Sequence, residues 1–219
     1  MFLTFEGIDG SGKTTLSSAV AQRLRERGNH VVLFHKKSVP PGVDPYVERH
    51  LKTLGRLLWD DADRQPIHLL GNDHWVRIMA AYFAATTETV IRPALSDGAI
   101  VVTDNWYYKF IARMTINTAH PRHDFDDVFG ALDRPSRTFF LDVDPEAAAV
   151  RKGHFTQGEV GKHQRDGADT ADGFVHYQTK VAAFYRDLAS EQGWDVISPG
   201  LRTPAELAEV VVDSLDRVR

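Results

Sequence analysis

Apolar residues in this chain fall into two kinds of run. Short blocks in which nearly every residue is apolar recur at Phe2–Glu6, His30–His35, Ala99–Thr103, Thr138–Val143 and Trp194–Ile197. Such blocks are expected of parallel strands covered on both faces. Between them lie longer stretches with apolar residues at helical spacing: Gly12–Arg27, Tyr46–Leu58, Pro66–Ser96, Asn105–Thr118, Gly173–Gln192 and Pro204–Val218. Punctuation agrees. Gly28-Asn29 and Asp97-Gly98 stop helices, and Asp144-Pro145 opens one, with Asp144 as cap and Pro145 in the first turn. The segments 35–45 and 60–65 are irregular, and 119–135 reads as a loop followed by a short helix. Strands alternating with helices predict an α/β fold: a doubly wound, five-stranded parallel sheet flanked by helices, with ligands at the carboxyl ends of the strands.

The most polar stretch is 152–172, with little periodicity. Helices of the same core flank it, so it is expected to be a mobile lid, about 151–172, rather than a linker. The 219 residues, 42% hydrophobic, suffice for one sizeable core, so 1–219 is read as a single domain.

The first strand runs into Gly7-Ile8-Asp9-Gly10-Ser11-Gly12-Lys13-Thr14-Thr15, which fits the phosphate-binding loop G-x-x-x-x-G-K-[ST]. The physical logic is local. Glycines let backbone N–H groups converge on phosphate oxygens, and the following helix aims its positive end at the same anion. Lys13 then reaches the β- and γ-phosphates, and the Thr14 hydroxyl suits Mg²⁺. Gly7, Asp9, Gly10, Ser11, Gly12, Lys13, Thr14 and Thr15 are therefore the expected ATP-binding residues. Asp104, at the tip of the third strand, can hold the metal with Thr14. Arg151, Lys152, Lys162 and Arg165 are cations of the lid and its approach, placed to arrive on a transferring phosphoryl group.

Charge and composition narrow the setting. The formal net charge of −4 creates no global attraction to nucleic acid or anionic membrane. Cysteine is absent, which excludes disulfides, thiolate nucleophiles and cysteine zinc sites. The ten histidines form no ligand pattern. No segment is apolar for long enough to span a bilayer, and the first residues already belong to a strand, so neither a membrane span nor an N-terminal signal is expected. A cytoplasmic location is the default.

Several longer stretches resemble the thymidylate kinase family of nucleoside monophosphate kinases. FEGIDGSGKTT (5–15) is similar to that family's phosphate loop, including Asp9 within it. IRPALSDGAIVVTD (91–104) resembles the end of its long helix and the strand leading to an Asp-Arg motif. FLDVDPEAAAVR (140–151) and YQTKVAAFYRDLA (177–189) resemble the segments on either side of its lid. The likeness covers essentially the whole chain. It implies the P-loop kinase fold, ATP with Mg²⁺, transfer to a nucleoside monophosphate, contact of Asp9 with the acceptor sugar, and a homodimer. Ile78, Ala81, Tyr82 and Ala85 on the long helix are candidates to face a second copy, and core packing accounts for them equally well.

The departures concern the acceptor. Asp-Arg reads Asp104-Asn105 here. Arg-Glu-Pro after the second strand is replaced by His35-Lys36-Lys37-Ser38. The base-reading helix, which carries an aromatic residue and then Asp-Arg, reads Leu70 and then Asp73-His74. Replacement cations lie nearby. Leu70, His74 and Arg77 share one helical face, Asn105, Lys109 and Arg113 another, and Lys36 and Lys37 sit at a strand tip. The aromatic run ending in Tyr108 offers a stacking surface. The acceptor-binding candidates are thus Asp9, Lys36, Lys37, Leu70, His74, Arg77, Asn105, Tyr108 and Lys109. Three readings stand. One is an ATP-dependent kinase acting on a nucleoside monophosphate or similar phosphorylated small molecule, which need not be thymidylate. The second is a kinase for a hydroxyl, with Glu6 or Glu48 as base. The third is an ATP-binding module without small-molecule kinase activity.

Overall fold

The computed structural model describes residues 1–35, 39–40, 42–60, 67–118, 121–161 and 170–216, with the backbone alone at 67, 68 and 126. Five parallel strands are present: β1 (Phe2–Gly7), β2 (Val31–Phe34), β3 (Ile100–Thr103), β4 (Arg137–Leu141) and β5 (Asp195–Ile197). Their order is β2-β3-β1-β4-β5, which puts the phosphate-loop strand at the centre. The order reverses across β1, and that switch point is where an open parallel sheet binds its ligand.

The period of two in β1 divides the interior. Leu3 and Phe5 face a layer formed by α1 (Lys13–Glu26) and α9 (Pro204–Asp216), through Leu16, Val20, Leu24, Leu207 and Val211. Phe2 faces the opposite layer, which contains α3 (Asn72–Thr86), α5 (Tyr108–Asn117) and α8 (Ala171–Gln192). Trp106 anchors that layer. It is 0% exposed and edge-on to Phe2 at 5.2 Å and to Phe83 at 4.8 Å. Helices on both faces make the doubly wound α/β arrangement.

Three boundaries differ from the sequence pattern for identifiable reasons. The helix expected from Pro66 begins at Asn72, because Gly71 adopts φ 75° after a 3₁₀ turn at Ile67–Leu70. From there it continues through a π-helical turn at Thr87–Ile91 into α4 (Arg92–Ser96). The helix expected from Asn105 begins at Tyr108, because Asn105 itself has φ 103°. Tyr82 does not face outward toward a partner; it is 2% exposed and packs edge-on against Trp59 at 4.7 Å. The remaining helices are α2 (Pro45–Gly55), α6 (Asp126–Phe129) and α7 (Pro145–Lys152). Asp144 caps α7 as expected, accepting from the Ala147 N–H. Among the described residues, no helix is long and apolar enough to cross a membrane.

Candidate active site

The turn after β1 closes on Gly12, the N-cap of α1, at φ 96° and with no side-chain hydrogen bond to the helix. A left-handed cap without a side chain leaves the first-turn N–H groups of α1 facing outward with no carbonyl of their own helix to bind. That is the arrangement an anion needs. Lys13 is buried at 6% exposure, and its ammonium donates to the Ile8 carbonyl and the Ser11 hydroxyl. Burial, with Lys109 close by, lowers its pKa to about 8. Its direct hydrogen-bond partners are neutral, with the charges of Asp9, Glu6 and Asp104 acting from farther off, and phosphate oxygens at the turn would give it a directly bonded anion.

Beside it, at the end of β3, the Asp104 carboxylate accepts from the Thr14 hydroxyl at 2.7 Å and lies 3.2 Å from His35 Nδ1. The Asp104 hydrogen bond raises the His35 pKa against the opposing effect of burial. A hydroxyl and a carboxylate next to a phosphate site fit Mg²⁺, which uses one or two protein oxygens and takes the rest from water and phosphates. Among the described residues no group of three or more His, Cys, Asp or Glu is placed to hold a metal ion.

The second centre is a buried ion cluster on Asp9. Lys109 Nζ donates to Oδ1, while Arg113 at 2.9 Å and Gln178 Nε2 at 3.2 Å donate to Oδ2. The Asp9 N–H is bonded to Gln178 Oε1 at 3.0 Å, so in this conformation that N–H is not offered to phosphate. Burial pushes the Asp9 pKa up, but Lys109, Arg113 and Lys13 outweigh it and hold the carboxyl well below its usual range. Two cations on one carboxylate leave an excess of positive charge beside the phosphate loop. Asn105, in left-handed backbone next to Asp104, adds a buried Oδ1 with no hydrogen-bond partner among the described residues. Strained backbone and unsatisfied buried acceptors cluster at functional sites.

Other expected residues lie elsewhere. Leu70 is 56% exposed ahead of α3. Arg77 lines a cavity of about 260 Å³ with Asp73, Thr118, Asp124 and Phe125, rather than joining the Asp9 cluster. His74 packs edge-on to its neighbour Trp75 at 5.0 Å. Tyr108 is buried against Tyr107 and Trp194, and adjacent positions on a helix point about 100° apart, so it does not share Lys109's direction. Arg151 is exposed on the last turn of α7. Lys36, Lys37, Lys162 and Arg165 lie outside the described residues. Gln178 was missed from the sequence. The signal was present, as one amide in the otherwise apolar stripe Phe174, Tyr177, Val181, Ala182 and Tyr185 of α8.

Glu6 is 0% exposed, with Thr4 Oγ1 and the Trp106 N–H on Oε1 and the Tyr185 hydroxyl on Oε2. Desolvation raises its pKa to about 7 from 4.5. Its neutral form is thus favoured by folding, and the native state holds a proton that the unfolded chain releases between those two values. Stability is expected to fall by about 3 kcal/mol as pH rises from 4.5 to 7. Denaturant titrations of wild type and Glu6→Gln across that range check this; the difference between the two curves isolates Glu6 from His35, whose raised pKa acts near the top of the window. Parallel curves would contradict it.

Comparison with known proteins agrees with this geometry. The thymidylate kinase family model matches residues 5–45, from β1 through the phosphate loop and β2 to the start of α2. The thymidylate kinase of Symbiobacterium thermophilum is 30% identical over 193 residues, covering 86% of this chain and 79% of its own. Those of Ruegeria pomeroyi and Prosthecochloris aestuarii are 28% and 29% identical, covering 100% and 90% of this chain and 98% and 84% of their own. A phosphate loop, a Thr–Asp pair at its mouth and this likeness along nearly the full length place the chain in the thymidylate kinase family.

Proposed function

We propose that the protein is an ATP-dependent kinase whose acceptor is a nucleoside monophosphate or similar phosphorylated small molecule, which need not be thymidylate. The observation that carries the reading is the buried excess of cations, Lys109 and Arg113 on Asp9 beside Lys13, at the mouth of the phosphate loop. A phosphate acceptor is already an anionic nucleophile, so the protein need only position it and neutralise charge. Its oxygen bonds to the γ-phosphorus as the bond to the β-bridging oxygen breaks and ADP departs. Lys13 exchanges the Ile8 carbonyl for phosphate oxygens. Thr14 and Asp104 would hold Mg²⁺, which would supply neutralising charge to the phosphates. Lys109, Arg113 and Asn105 orient the acceptor. In this proposal the whole chain is one kinase domain, 151–172 is its lid, and two copies form the working dimer.

The alternative of a hydroxyl acceptor asks for a carboxylate free to take a proton. Glu6 is sealed between Trp106 and Tyr185, and Glu48 is paired with Lys52 at 2.6 Å, which favours the phosphate reading. A coupled ADP-release assay over nucleoside monophosphates, nucleosides and other phosphorylated metabolites tests it. Turnover is expected with a phosphorylated acceptor. Turnover of unphosphorylated acceptors alone would overturn the reading in favour of a hydroxyl kinase, and ATP binding without turnover would favour a non-catalytic module. Asp104→Asn is expected to lower kcat by about 10²-fold and to raise the Mg²⁺ concentration needed for half-maximal rate. An unchanged magnesium dependence would remove Asp104 from the metal site.

A further inference from the structure

Gln178 is 0% exposed in the middle of α8. A primary amide at such a position is tolerated only when its hydrogen-bonding groups are satisfied. Here they are used on two backbone segments far apart in the chain. Oε1 accepts from the Asp9 N–H at 3.0 Å, and Nε2 donates to Asp9 Oδ2 at 3.2 Å and to the Glu159 carbonyl at 2.8 Å. Asp9 belongs to the phosphate loop. Glu159 belongs to the 3₁₀ turn Gln157–Glu159, in the first part of the segment 151–172 read as the lid.

That turn is a small rigid unit. Its capping box closes Thr156 and Glu159 on each other, and the Glu159 carboxylate also pairs with Lys152 at 3.1 Å. It is set directly on α8. Gly161, at φ 74°, lies so close to Tyr177 that a Cβ there would come within 2.3 Å of the ring. Tyr177 and Gln178, neighbours in sequence, therefore hold the turn, and Gln178 alone also holds the loop.

We infer that Gln178 is a positioning residue that couples the phosphate loop to the root of the lid. One planar amide links the Asp9 N–H to the Glu159 carbonyl, so a shift of Asp9 when the loop takes a triphosphate is carried to that turn. The inference rests on the reading of residues 7–14 as the triphosphate loop, and it goes beyond that reading by assigning the link between loop and lid to one side chain.

Hydrogen exchange of the amides of Glu159–Gly161, measured with and without ATP and Mg²⁺, tests it in the full chain. In wild type, ATP is expected to slow their exchange by about five- to tenfold. In Gln178→Met, which keeps the volume and removes all three hydrogen bonds, the ATP-dependent slowing is expected to vanish when exchange is compared at equal ATP saturation. Gly161→Ala, which pushes the turn off Tyr177 and leaves Asp9 untouched, is expected to lose the slowing in the same way. Gln178→Glu keeps the acceptor oxygen, exchanges the donors for a charge facing Asp9, and gives the same readout if the Met variant does not fold. An ATP-dependent slowing in Gln178→Met equal to that of wild type overturns the coupling alone. No ATP binding by wild type overturns the triphosphate-loop reading and the coupling with it.

Discussion

Lys13→Met is expected to lower kcat by about 10²–10³-fold while leaving the fold as stable as before, or more so. The two halves of this result have one cause. In the structure the ammonium is buried, and desolvation lowers its pKa to about 8. The folded protein therefore carries the cost of a buried cation that its present partners, a carbonyl and a hydroxyl, only partly offset. Methionine fills much of the same space without that cost. The Ile8 carbonyl keeps a hydrogen bond from the Ser11 N–H at 3.3 Å, so the substitution strands no acceptor there. What is lost is charge at the transferring phosphoryl group. The pH dependence distinguishes this from a structural role. A base whose folded pKa lies below its unfolded value of 10.5 releases its proton first in the native state, so wild-type stability rises by about 3 kcal/mol between pH 8 and 10.5. Lys13→Met should lack that rise. ADP-release kinetics at saturating ATP, with denaturant titrations at both ends of the range, check both halves. Wild-type turnover in the variant would sink the assignment.

How much of this was legible in the sequence depends on how far apart the interacting residues lie. The five strands were visible because a strand covered on both faces is apolar almost throughout, and the phosphate loop because its geometry is set by consecutive residues. Asp104 could be placed by the same reasoning, at the end of a short apolar run. The breaks in the helices were less visible. Gly71 and Asn105 each hold backbone that a helix cannot continue through, but nothing in the local pattern separates a glycine that ends a helix from one that a helix tolerates, or marks an asparagine as left-handed.

The ion cluster was half legible. Lys109 and Arg113 stand at i, i+4 on α5, which the sequence shows, but their common partner Asp9 is 100 residues from one and 104 from the other. Gln178 is 169 residues from Asp9, and its role follows only from the packing of α8 against the loop. Tyr108 is the opposite case. It neighbours Lys109 in sequence, and one step along a helix turns a side chain away from its neighbour's face. A motif fixes what consecutive backbone can do, whereas the acceptor side of this site is assembled by tertiary contact. That is also where the chain departs from the family pattern, at Asn105, with Lys109 as a cation nearby.

Asp9→Asn is expected to destabilise the protein by about 3–5 kcal/mol, more than a typical polar substitution. The amide keeps the size of the carboxylate and can still accept from one donor, but it removes the carboxylate charge that Lys109 and Arg113 share. Lys109 is 6% exposed, so its ammonium would be left in low dielectric with no anion. If that account is right, the damage belongs to the stranded cations rather than to the lost aspartate. Lys109→Met in the Asp9→Asn background should then recover part of the stability, and the double variant should be less destabilised than the sum of the two single ones. The acid limb gives a second check. Because Asp9 has its pKa held well below 3.8, its contribution is present above that value and is lost as pH falls through the lower folded one, so Asp9→Asn should flatten the stability curve only at the acid end. Additive single and double variants, with an unchanged acid limb, would show that the cluster contributes no charge coupling. In that case the excess cations could not be what orients a phosphorylated acceptor.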